Sequence, residues 1–429
     1  AHPAATEAGL SIMAEGGNAF DAAVAVSAVL AVVEPYSSGL GGGGFWLLHR
    51  ASDGFQVMVD GRERAPSKAH RDLYLDAQGE VIPGLSIDGP LAAGIPGEPA
   101  ALAHIAEKYG RLPLSRSLGE AIRLAREGFI VDDYYRRMAR WRLDALRRSV
   151  AAAEQFLQNG EVPPAGTLIK QPDLARTLER IAIRGRDGFY AGETARLLIE
   201  GVNGAGGIWS REDLDGYRIV ERAPIRGEYR GFTIVSAPPP SSGGVALMTM
   251  LNILSGFPLS ELSSVERKHL VIEAMRRAYR DRADFLGDPD FIGVPIERLT
   301  HPLYAQGLAR DISKSMATPS VPKSTVTAGT EGRDTTHFSI LDAEGNRVAA
   351  TLSVNYPFGG AYVAPGTGVL LNDEMDDFSA RPGVPNVYGL TGGEANAIAP
   401  GKRMLSSMTP TFVESEQGVA ILGTPGGSR

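Results

Sequence analysis

The sequence contains no cysteine. Disulfide bonds, thiolate catalysis and cysteine-ligated metals are therefore excluded, while the redox state of the compartment stays open, because a cysteine-free chain tolerates either. The seven histidines lack the spacing of a metal motif such as HExxH. We accordingly expect no metal ion and no cofactor.

Long apolar and long basic runs are also missing. The longest apolar run, residues 22–33, is only about half the length that spans a bilayer. The basic residues are scattered and the net charge is −7, so nucleic acid is not an expected partner. The abrupt Ala-His-Pro start and Pro-Gly-Gly-Ser-Arg end suggest truncation at both ends, so the missing signal peptide says little about location.

What is present is ordinary globular composition, with 429 residues of which 43% are hydrophobic. Apolar residues with helical spacing predict helices over residues 4–13, 19–33, 98–109, 116–127, 132–150, 173–184, 193–202, 246–254 and 265–285. Strand-like patterns cover residues 45–48, 55–59 and 229–235. The glycine run at 41–44 lacks the Gly-Lys-Ser/Thr ending of a phosphate-binding loop, so we interpret it as allowing close backbone packing.

The sharpest boundary in the chain lies at Thr335. Residues 316–333 are rich in Thr, Ser, Pro, Lys and Gly, which predicts an exposed, mobile linker. The hydrophobic period then changes to two, which predicts strands over 336–341 and 347–354 around a turn at 342–346.

Thr335 at this boundary is a candidate nucleophile. A mid-chain threonine hydroxyl is weak, but a cut between Asp334 and Thr335 would free an α-amino group with a pKa of about 7.7–8.0. That amine can serve as general base for the hydroxyl of its own residue. From these residues alone, simple β-branched packing at a strand start is the more common explanation of a Thr-Thr pair.

Several further blocks, in order along the chain, resemble the γ-glutamyltransferase (γ-glutamyl transpeptidase) family over essentially the whole sequence. They are Gly-Gly-Asn-Ala-Phe-Asp-Ala-Ala (16–23), the serine-glycine run (37–44), Asp-Gly-Arg-Glu-Arg-Ala-Pro (60–66), Pro-Pro-Pro-Ser-Ser-Gly-Gly (238–244), Gly-Asp-Pro-Asp-Phe (287–291), Thr-Thr-His-Phe-Ser (335–339), Asn-Asp-Glu-Met-Asp-Asp-Phe-Ser (372–379), Pro-Gly-Val-Pro-Asn-Val-Tyr-Gly (382–389), Leu-Ser-Ser-Met-Thr-Pro (405–410) and Pro-Gly-Gly-Ser (425–428).

The resemblance implies an α+β fold, the four-layer αββα sandwich of the N-terminal-nucleophile hydrolases. It makes residues 1–334 the large-subunit portion of a self-cleaving precursor and residues 335–429 a C-terminally truncated small-subunit portion. Both portions would contribute to one αββα domain.

The family pattern also implies a role for each matching residue. Thr335 corresponds to the nucleophile, and Ser353 stands where the family has a threonine that supports it. The oxyanion would be bound by the backbone of Gly426 and Gly427. The substrate-binding residues divide into the α-carboxylate ligands Arg62, Ser406 and Ser407, the α-ammonium neighbours Asn355, Glu374 and Asp377, and the lid-loop residue Tyr388.

The implied activity is ping-pong transfer or hydrolysis of γ-glutamyl groups. The donor would be a glutathione-like small molecule, the acceptor water or the amine of an amino acid or peptide, and the two processed subunits would stay associated. The family also implies a periplasmic or secreted protein.

Other interpretations remain open on the residues themselves. A cephalosporin (glutaryl) acylase of the same superfamily would not need two carboxylates near an α-ammonium, and a non-catalytic amino-acid-binding protein would not need a scissile bond. Judged by sequence alone, Arg64 is as good a candidate for the α-carboxylate ligand as Arg62, and only the family pattern selects Arg62. The acidic stretch 374–377 also fits a solvated turn, and a calcium loop less well. We interpret His337 as structural.

Overall fold

The computed structural model describes residues 2–319 and 335–426. Within them, antiparallel pairing produces a five-stranded sheet in the order β5-β2-β1-β9-β8, a four-stranded sheet in the order β11-β10-β7-β6, and the small pair β3-β4. The strands are β1 (Gly43–Arg50), β2 (Phe55–Gly61), β3 (Phe129–Ile130), β4 (Leu168–Ile169), β5 (Val220–Arg222), β6 (Ile225–Tyr229), β7 (Phe232–Ser236), β8 (Thr335–Leu341), β9 (Arg347–Ser353), β10 (Thr411–Ser415) and β11 (Gly418–Leu422).

Helices cover the outer faces of both sheets. They are α1 (Pro3–Ala14), α2 (Ala19–Val33), α3 (Glu98–Tyr109), α4 (Leu114–Ser117), α5 (Gly119–Glu127), α6 (Asp133–Trp141), α7 (Leu143–Arg148), α8 (Val150–Phe156), α9 (Pro172–Arg184), α10 (Asp187–Tyr190), α11 (Gly192–Gly204), α12 (Arg211–Asp215), α13 (Gly243–Ser255), α14 (Ser264–Phe285), α15 (Ile296–Leu299) and α16 (Pro302–Ala309). None of the helices in the described ranges combines the length and hydropathy of a bilayer-spanning segment.

The alternation of side chains along β1 explains the layering. Phe45 and Leu47 point into a core shared with β7 and β10 of the other sheet, whereas Trp46 and Leu48 point into the core that contains α2. Because every residue of α2 is buried, its almost entirely apolar sequence is accounted for. Helix α13 packs against the four-stranded sheet on its far side. The expected αββα sandwich is therefore confirmed.

The glycine run at residues 41–44 allows neighbouring backbone segments to pack closely near the start of β8. A Cβ at Gly41 would lie 1.9 Å from the carbonyl oxygen of Leu370, and one at Gly42 would lie 2.2 Å from that of Ser353. Real side chains do not fit at such distances, so glycine is required at both positions. This is the close packing that the sequence predicts, and Ser353 is held by it.

The prediction of one strand over residues 229–235 is wrong. Strand β6 ends at Tyr229, which pairs with Phe232 at the start of β7. Arg230 and Gly231 both adopt positive φ, 52° and 85°, and make the tight turn of a β-hairpin. An arginine at the first turn position is an unusual hairpin residue, which is why the pattern gave no turn signal.

The prediction of one helix over residues 132–150 is also wrong. Helix α6 ends at Trp141 and α7 begins at Leu143, with a break at Arg142. The guanidinium of Arg142 is turned inward and donates to the carbonyl oxygens of Pro357 and Gly359, at 2.9 and 2.8 Å. Tertiary hydrogen bonds thus override the helical pattern. The predicted helix over 116–127 is likewise divided, into α4 and α5.

Most of the predicted linker, residues 320–333, lies outside the described residues, so its mobility stays a prediction. The residues before it contact α14. The backbone N–H of Thr318 donates to the Glu273 carboxylate at 3.0 Å, and its hydroxyl donates to the same carboxylate at 2.6 Å. The other predicted strands and helices are present, with shifts of a few residues at their ends.

Candidate active site

A cavity of about 220 Å³ opens at the end of the sandwich where β8 begins and β9 ends. Its wall is built from both sides of the predicted cleavage point. It contains every site residue predicted from the sequence that the structure describes: Arg62, Thr335, Ser353, Asn355, Glu374, Asp377, Tyr388, Ser406, Ser407 and Gly426. Gly427 lies outside the described residues. The cavity also contains Tyr279, Thr351, Met408, Thr409, Gly423 and Thr424.

Thr335 is the first residue of β8 and lies opposite Ser353 in the β8–β9 register. Their hydroxyl oxygens are 3.3 Å apart. The Ser353 hydroxyl in turn accepts the backbone N–H of Asn355 at 2.8 Å, so its position is fixed by the end of β9. A partly exposed threonine hydroxyl therefore faces the cavity with a second, ordered hydroxyl beside it.

Arg62 forms the opposite wall, at the end of β2, and its side chain is completely buried. One terminal nitrogen lies 2.5 Å from Glu374 Oε2 and the other 2.6 Å from Asp377 Oδ2. Its Nε donates to the carbonyl oxygen of Met404 at 3.2 Å. Glu374 is buried and ion-paired in this arrangement, so the solvated-turn interpretation of residues 374–377 is wrong.

Three carboxyl groups share this one guanidinium. Glu63, which the sequence reasoning did not single out, places Oε2 3.5 Å from Arg62. Burial and the nearby Glu374 carboxylate raise the pKa of Glu63 well above its ordinary value. Burial also raises the pKa of Glu374, to about 7, against the opposing effects of Arg62 and the Ser353 hydroxyl. The carboxyl groups around Arg62 thus outnumber its single positive charge, and this surplus suits a cationic ligand group.

Ser406 and Ser407 lie beside the segment 238–244. The Ser406 N–H donates to the carbonyl of Pro240 at 2.8 Å, and the Ser242 N–H donates back to the carbonyl of Ser406 at 2.8 Å. This reciprocal pairing explains why two distant serine-rich blocks of the sequence occur together at the site. Both hydroxyls of the 406–407 pair face the cavity that contains Arg62.

Arg282, on α14, is a site neighbour that the sequence reasoning missed. Its Nε lies 3.2 Å from Ser407 Oγ and 3.0 Å from Ser242 Oγ. A signal was available, because Ala274, Ala278 and Arg282 recur every four residues on the buried face of the helix. The pattern identifies the face, but not the part of the fold that it contacts.

The predicted lid segment reaches the cavity through Tyr388. Its hydroxyl donates to the carbonyl oxygen of Asn355 at 2.8 Å. Asn355 itself has a positive φ of 75°, and its side-chain amide donates to the carbonyl of Asp373 at 3.1 Å. Because a non-glycine residue rarely adopts this conformation, Asn355 is held in place by its surroundings.

Two further residues that the sequence raised are placed away from the cavity wall. His337 on β8 hydrogen-bonds to Thr351 Oγ1 at 2.8 Å, and burial lowers its pKa to about 4, which supports a neutral, structural residue. Arg64 donates to the carbonyl oxygens of Gly401 and Gly216, at 2.8 and 3.3 Å. Arg62, rather than Arg64, is therefore the arginine at the cavity.

Known proteins of one family share this architecture. The family model for gamma-glutamyltranspeptidase matches residues 5–429. The chain is 44% identical to the glutathione hydrolase proenzyme of Escherichia coli (strain K12) over 99% of its own length and 74% of the relative. It is 37% identical to the acylase ACY 1 proenzyme of Pseudomonas sp. (strain SE83), over 100% of its length and 76% of the relative.

Solved structures lead to the same family. The crystal structure of Helicobacter pylori gamma-glutamyltranspeptidase matches with a TM-score of 0.73 and 39% identity, over 74% of this chain and 92% of that one. Cephalosporin acylase from Bacillus halodurans matches with a TM-score of 0.83 and 30% identity, over 97% of this chain and 74% of that one. The resemblance inferred from the motifs is confirmed: this chain belongs to the gamma-glutamyltranspeptidase family of enzymes.

Proposed function

We propose that this protein transfers and hydrolyses γ-glutamyl groups of glutathione and similar donors, using Thr335 as an N-terminal nucleophile after self-cleavage. One observation carries the proposal. The hydroxyl of Thr335 shares a single cavity with a buried cluster of one arginine and two carboxylates, Arg62, Glu374 and Asp377. A nucleophile beside groups of both charges suits a zwitterionic acyl donor.

Maturation comes first: the peptide bond before Thr335 is hydrolysed once, consuming one water and leaving a carboxylate on the preceding residue and a free α-amino group on Thr335. The freed α-amino group takes the proton from the threonine hydroxyl, which attacks the γ-amide carbon of the donor. The backbone N–H of Gly426, together with that of Gly427 beyond the described residues, would bind the oxyanion. The α-ammonium then returns that proton to the leaving amine, whose departure leaves a γ-glutamyl ester on Thr335. Water, or the amine of an amino acid or peptide, then attacks the ester and regenerates the hydroxyl.

The charged cluster explains how the donor is oriented. Arg62 is paired with both Glu374 and Asp377. A donor's α-carboxylate binds Arg62 with the hydroxyls of Ser406 and Ser407, and its α-ammonium binds the two carboxylates with Asn355. A zwitterion thereby supplies one new partner for each sign of charge, so no buried ion is left unpaired.

The acylase alternative is supported by the likeness to an acylase proenzyme and to a cephalosporin acylase. A glutaryl group has no α-ammonium, so it would leave Glu374 and Asp377 without a new cation. Their low exposure, 1% for Glu374 and 10% for Asp377, argues for the γ-glutamyl donor, since unpaired carboxylates shielded from water are costly. Membership of an enzyme family rejects the non-catalytic binding protein.

The proposed maturation divides the chain into a portion up to residue 334 and a portion from residue 335, which remain associated as subunits. Pairing of β9 with β1 across the two portions supports this. We also propose a periplasmic or secreted location, on the family resemblance alone. Cell fractionation with the complete precursor tests it.

The deciding experiment is N-terminal sequencing and denaturing electrophoresis of the purified protein. We expect two fragments, the smaller beginning Thr-Thr-His-Phe, and release of p-nitroaniline from γ-glutamyl-p-nitroanilide. Thr335→Ala should remain one chain and be inactive. A soluble, folded parent that stays uncut, or a fragment that begins elsewhere, would refute the proposed nucleophile.

A further inference from the structure

A second buried arginine stands behind the two serines of the cavity. Arg282 exposes only 5% of its surface, and its Nε is shared between Ser242 and Ser407. Burial lowers the pKa of Arg282, which the neighbouring Asp377 carboxylate partly offsets. Because an arginine side chain keeps its charge even when buried, a cation lies close to the cavity without lining it.

The hydrogen bonds around Arg282 have a fixed direction. An arginine can only donate, so the oxygens of Ser242 and Ser407 accept from its Nε. Ser242 uses its own hydrogen on the carbonyl of Ser406, at 2.9 Å. The hydroxyl hydrogen of Ser407 cannot point back at Arg282. It has Ser242 Oγ as an acceptor at 3.2 Å, or a ligand in the cavity.

We propose that Arg282 is a positioning residue for the donor's α-carboxylate, acting through Ser407. By donating to the oxygen, it turns the hydroxyl hydrogen of Ser407 outward, toward an anion in the cavity. It also adds a positive charge behind Ser407. This inference rests on the proposed γ-glutamyl function.

The need for such a residue follows from the pairing of Arg62. Both terminal nitrogens of Arg62 are paired with carboxylates. An arriving carboxylate therefore meets a cation whose field is largely cancelled. A second cation behind the serines offsets part of the negative charge of the carboxylates and so favours the anion, because charge effects are strong where water is excluded.

A purely structural role for Arg282 is the rival explanation, and Arg277 offers a matched control. Arg277 is on the same helix, is 6% exposed, and pairs with Glu273 at 2.5 Å and Asp311 at 2.9 Å. It does not line the cavity. Arg277→Gln therefore removes a comparable buried cation from α14 without touching the serines.

The test compares mature parent, Arg282→Gln, Arg282→Lys and Arg277→Gln. Kinetics are measured with γ-glutamyl-p-nitroanilide, and competitive inhibition with L-glutamate and with 4-aminobutyrate, which lacks the α-carboxylate. In Arg282→Gln we expect KM and the Ki of L-glutamate to rise by about tenfold to a hundredfold. The kcat and the Ki of 4-aminobutyrate should stay within about threefold. Arg282→Lys, which keeps the charge but not the shared donor, should fall between parent and Arg282→Gln.

A double-mutant cycle with Ser407→Ala tests whether Arg282 affects donor binding through this serine. If Arg282 acts through Ser407, adding Arg282→Gln to Ser407→Ala should raise KM clearly less than it does in the parent. Full additivity, or equal shifts in the two Ki values, would overturn the proposal. So would failure of both Arg282 variants to mature while Arg277→Gln matures. A mature parent without γ-glutamyl turnover overturns the proposed function itself, a result visible before any variant is examined.

Discussion

The two walls of the cavity are stabilised by different kinds of interaction. The nucleophile wall, Thr335 and Ser353 on β8 and β9, consists of neutral hydroxyls held by strand pairing. The clamp wall, Arg62 with Glu374 and Asp377, consists of buried ions held by one another. A lost neutral hydrogen bond changes a free energy by about 0.5–1.5 kcal/mol, whereas a buried ion left without its partner loses several times more.

The comparison predicts that chemistry and recognition are separable in this site. Substitutions in the clamp wall should act mainly on donor binding, and therefore on KM. Substitutions that remove support in the nucleophile wall should act mainly on kcat and on maturation. Variants of both walls test this division.

The largest effect among them is expected for Arg62→Ala. Loss of one partner of a buried charge pair costs about 2–5 kcal/mol, so KM for γ-glutamyl-p-nitroanilide should rise by about thirtyfold to a few thousandfold. Maturation should change little, because no donor carboxylate takes part in it. Arg64→Ala, which removes the neighbouring arginine from outside the cavity, is the control. Equal KM values for the two variants would break the comparison.

Asp377→Asn should reduce the preference of the enzyme for donors that carry an α-ammonium group. In the parent, a glutaryl group leaves two carboxylates unpaired, so kcat/KM for γ-glutamyl-p-nitroanilide should exceed that for glutaryl-p-nitroanilide by about tenfold to over a hundredfold. The variant should lose γ-glutamyl turnover and show a smaller ratio. Equal rates on both substrates in the parent would favour the acylase function instead.

The two walls should also differ in their response to pH. The pKa of Glu374 is raised to about 7, so the group gains a proton and loses its negative charge as pH falls through that value. KM should therefore rise toward low pH, by up to about tenfold per unit below pH 7. A KM profile that remains equally steep in Glu374→Gln would assign the titration to another group.

The smallest effect is expected for Ser353, the hydroxyl beside Thr335. Ser353→Ala removes a neutral partner of Thr335 and should lower kcat by about two- to tenfold, with a smaller change in KM, because the same hydroxyl also interacts with Glu374. Ser353→Thr, which restores the residue typical of the family, should keep kcat within about twofold. A large KM change in Ser353→Ala would contradict the division between the walls.

The sequence predicted the nucleophile wall well because its signals are local. The change of hydrophobic period at Thr335 marks the start of β8, and the turn at residues 342–346 sets the register that brings Ser353 opposite. Motif resemblance then selected most of the other cavity residues, which come from distant segments, but not Tyr279 or Thr351.

Contacts that depend on the packing of separate elements escaped prediction. The pairing of Arg62 with Glu374 joins residues 312 positions apart. Likewise, Arg282 meets Ser407 only because α14 crosses the loop that carries it. The break at Arg142 has the same origin, since its helical pattern gives no hint of the carbonyl oxygens of Pro357 and Gly359.

The mixed origin of the five-stranded sheet has one more consequence. Strands β5, β2 and β1 precede the proposed cut and β9 and β8 follow it, yet all of them are hydrogen-bonded in one layer. The uncut chain unfolds as a single molecule. After the cut, unfolding of the same sheet releases two separate chains, so the unfolding equilibrium depends on protein concentration through mass action. Maturation would convert unfolding from a one-body into a two-body reaction, and the stability of the enzyme would come to depend on its own concentration.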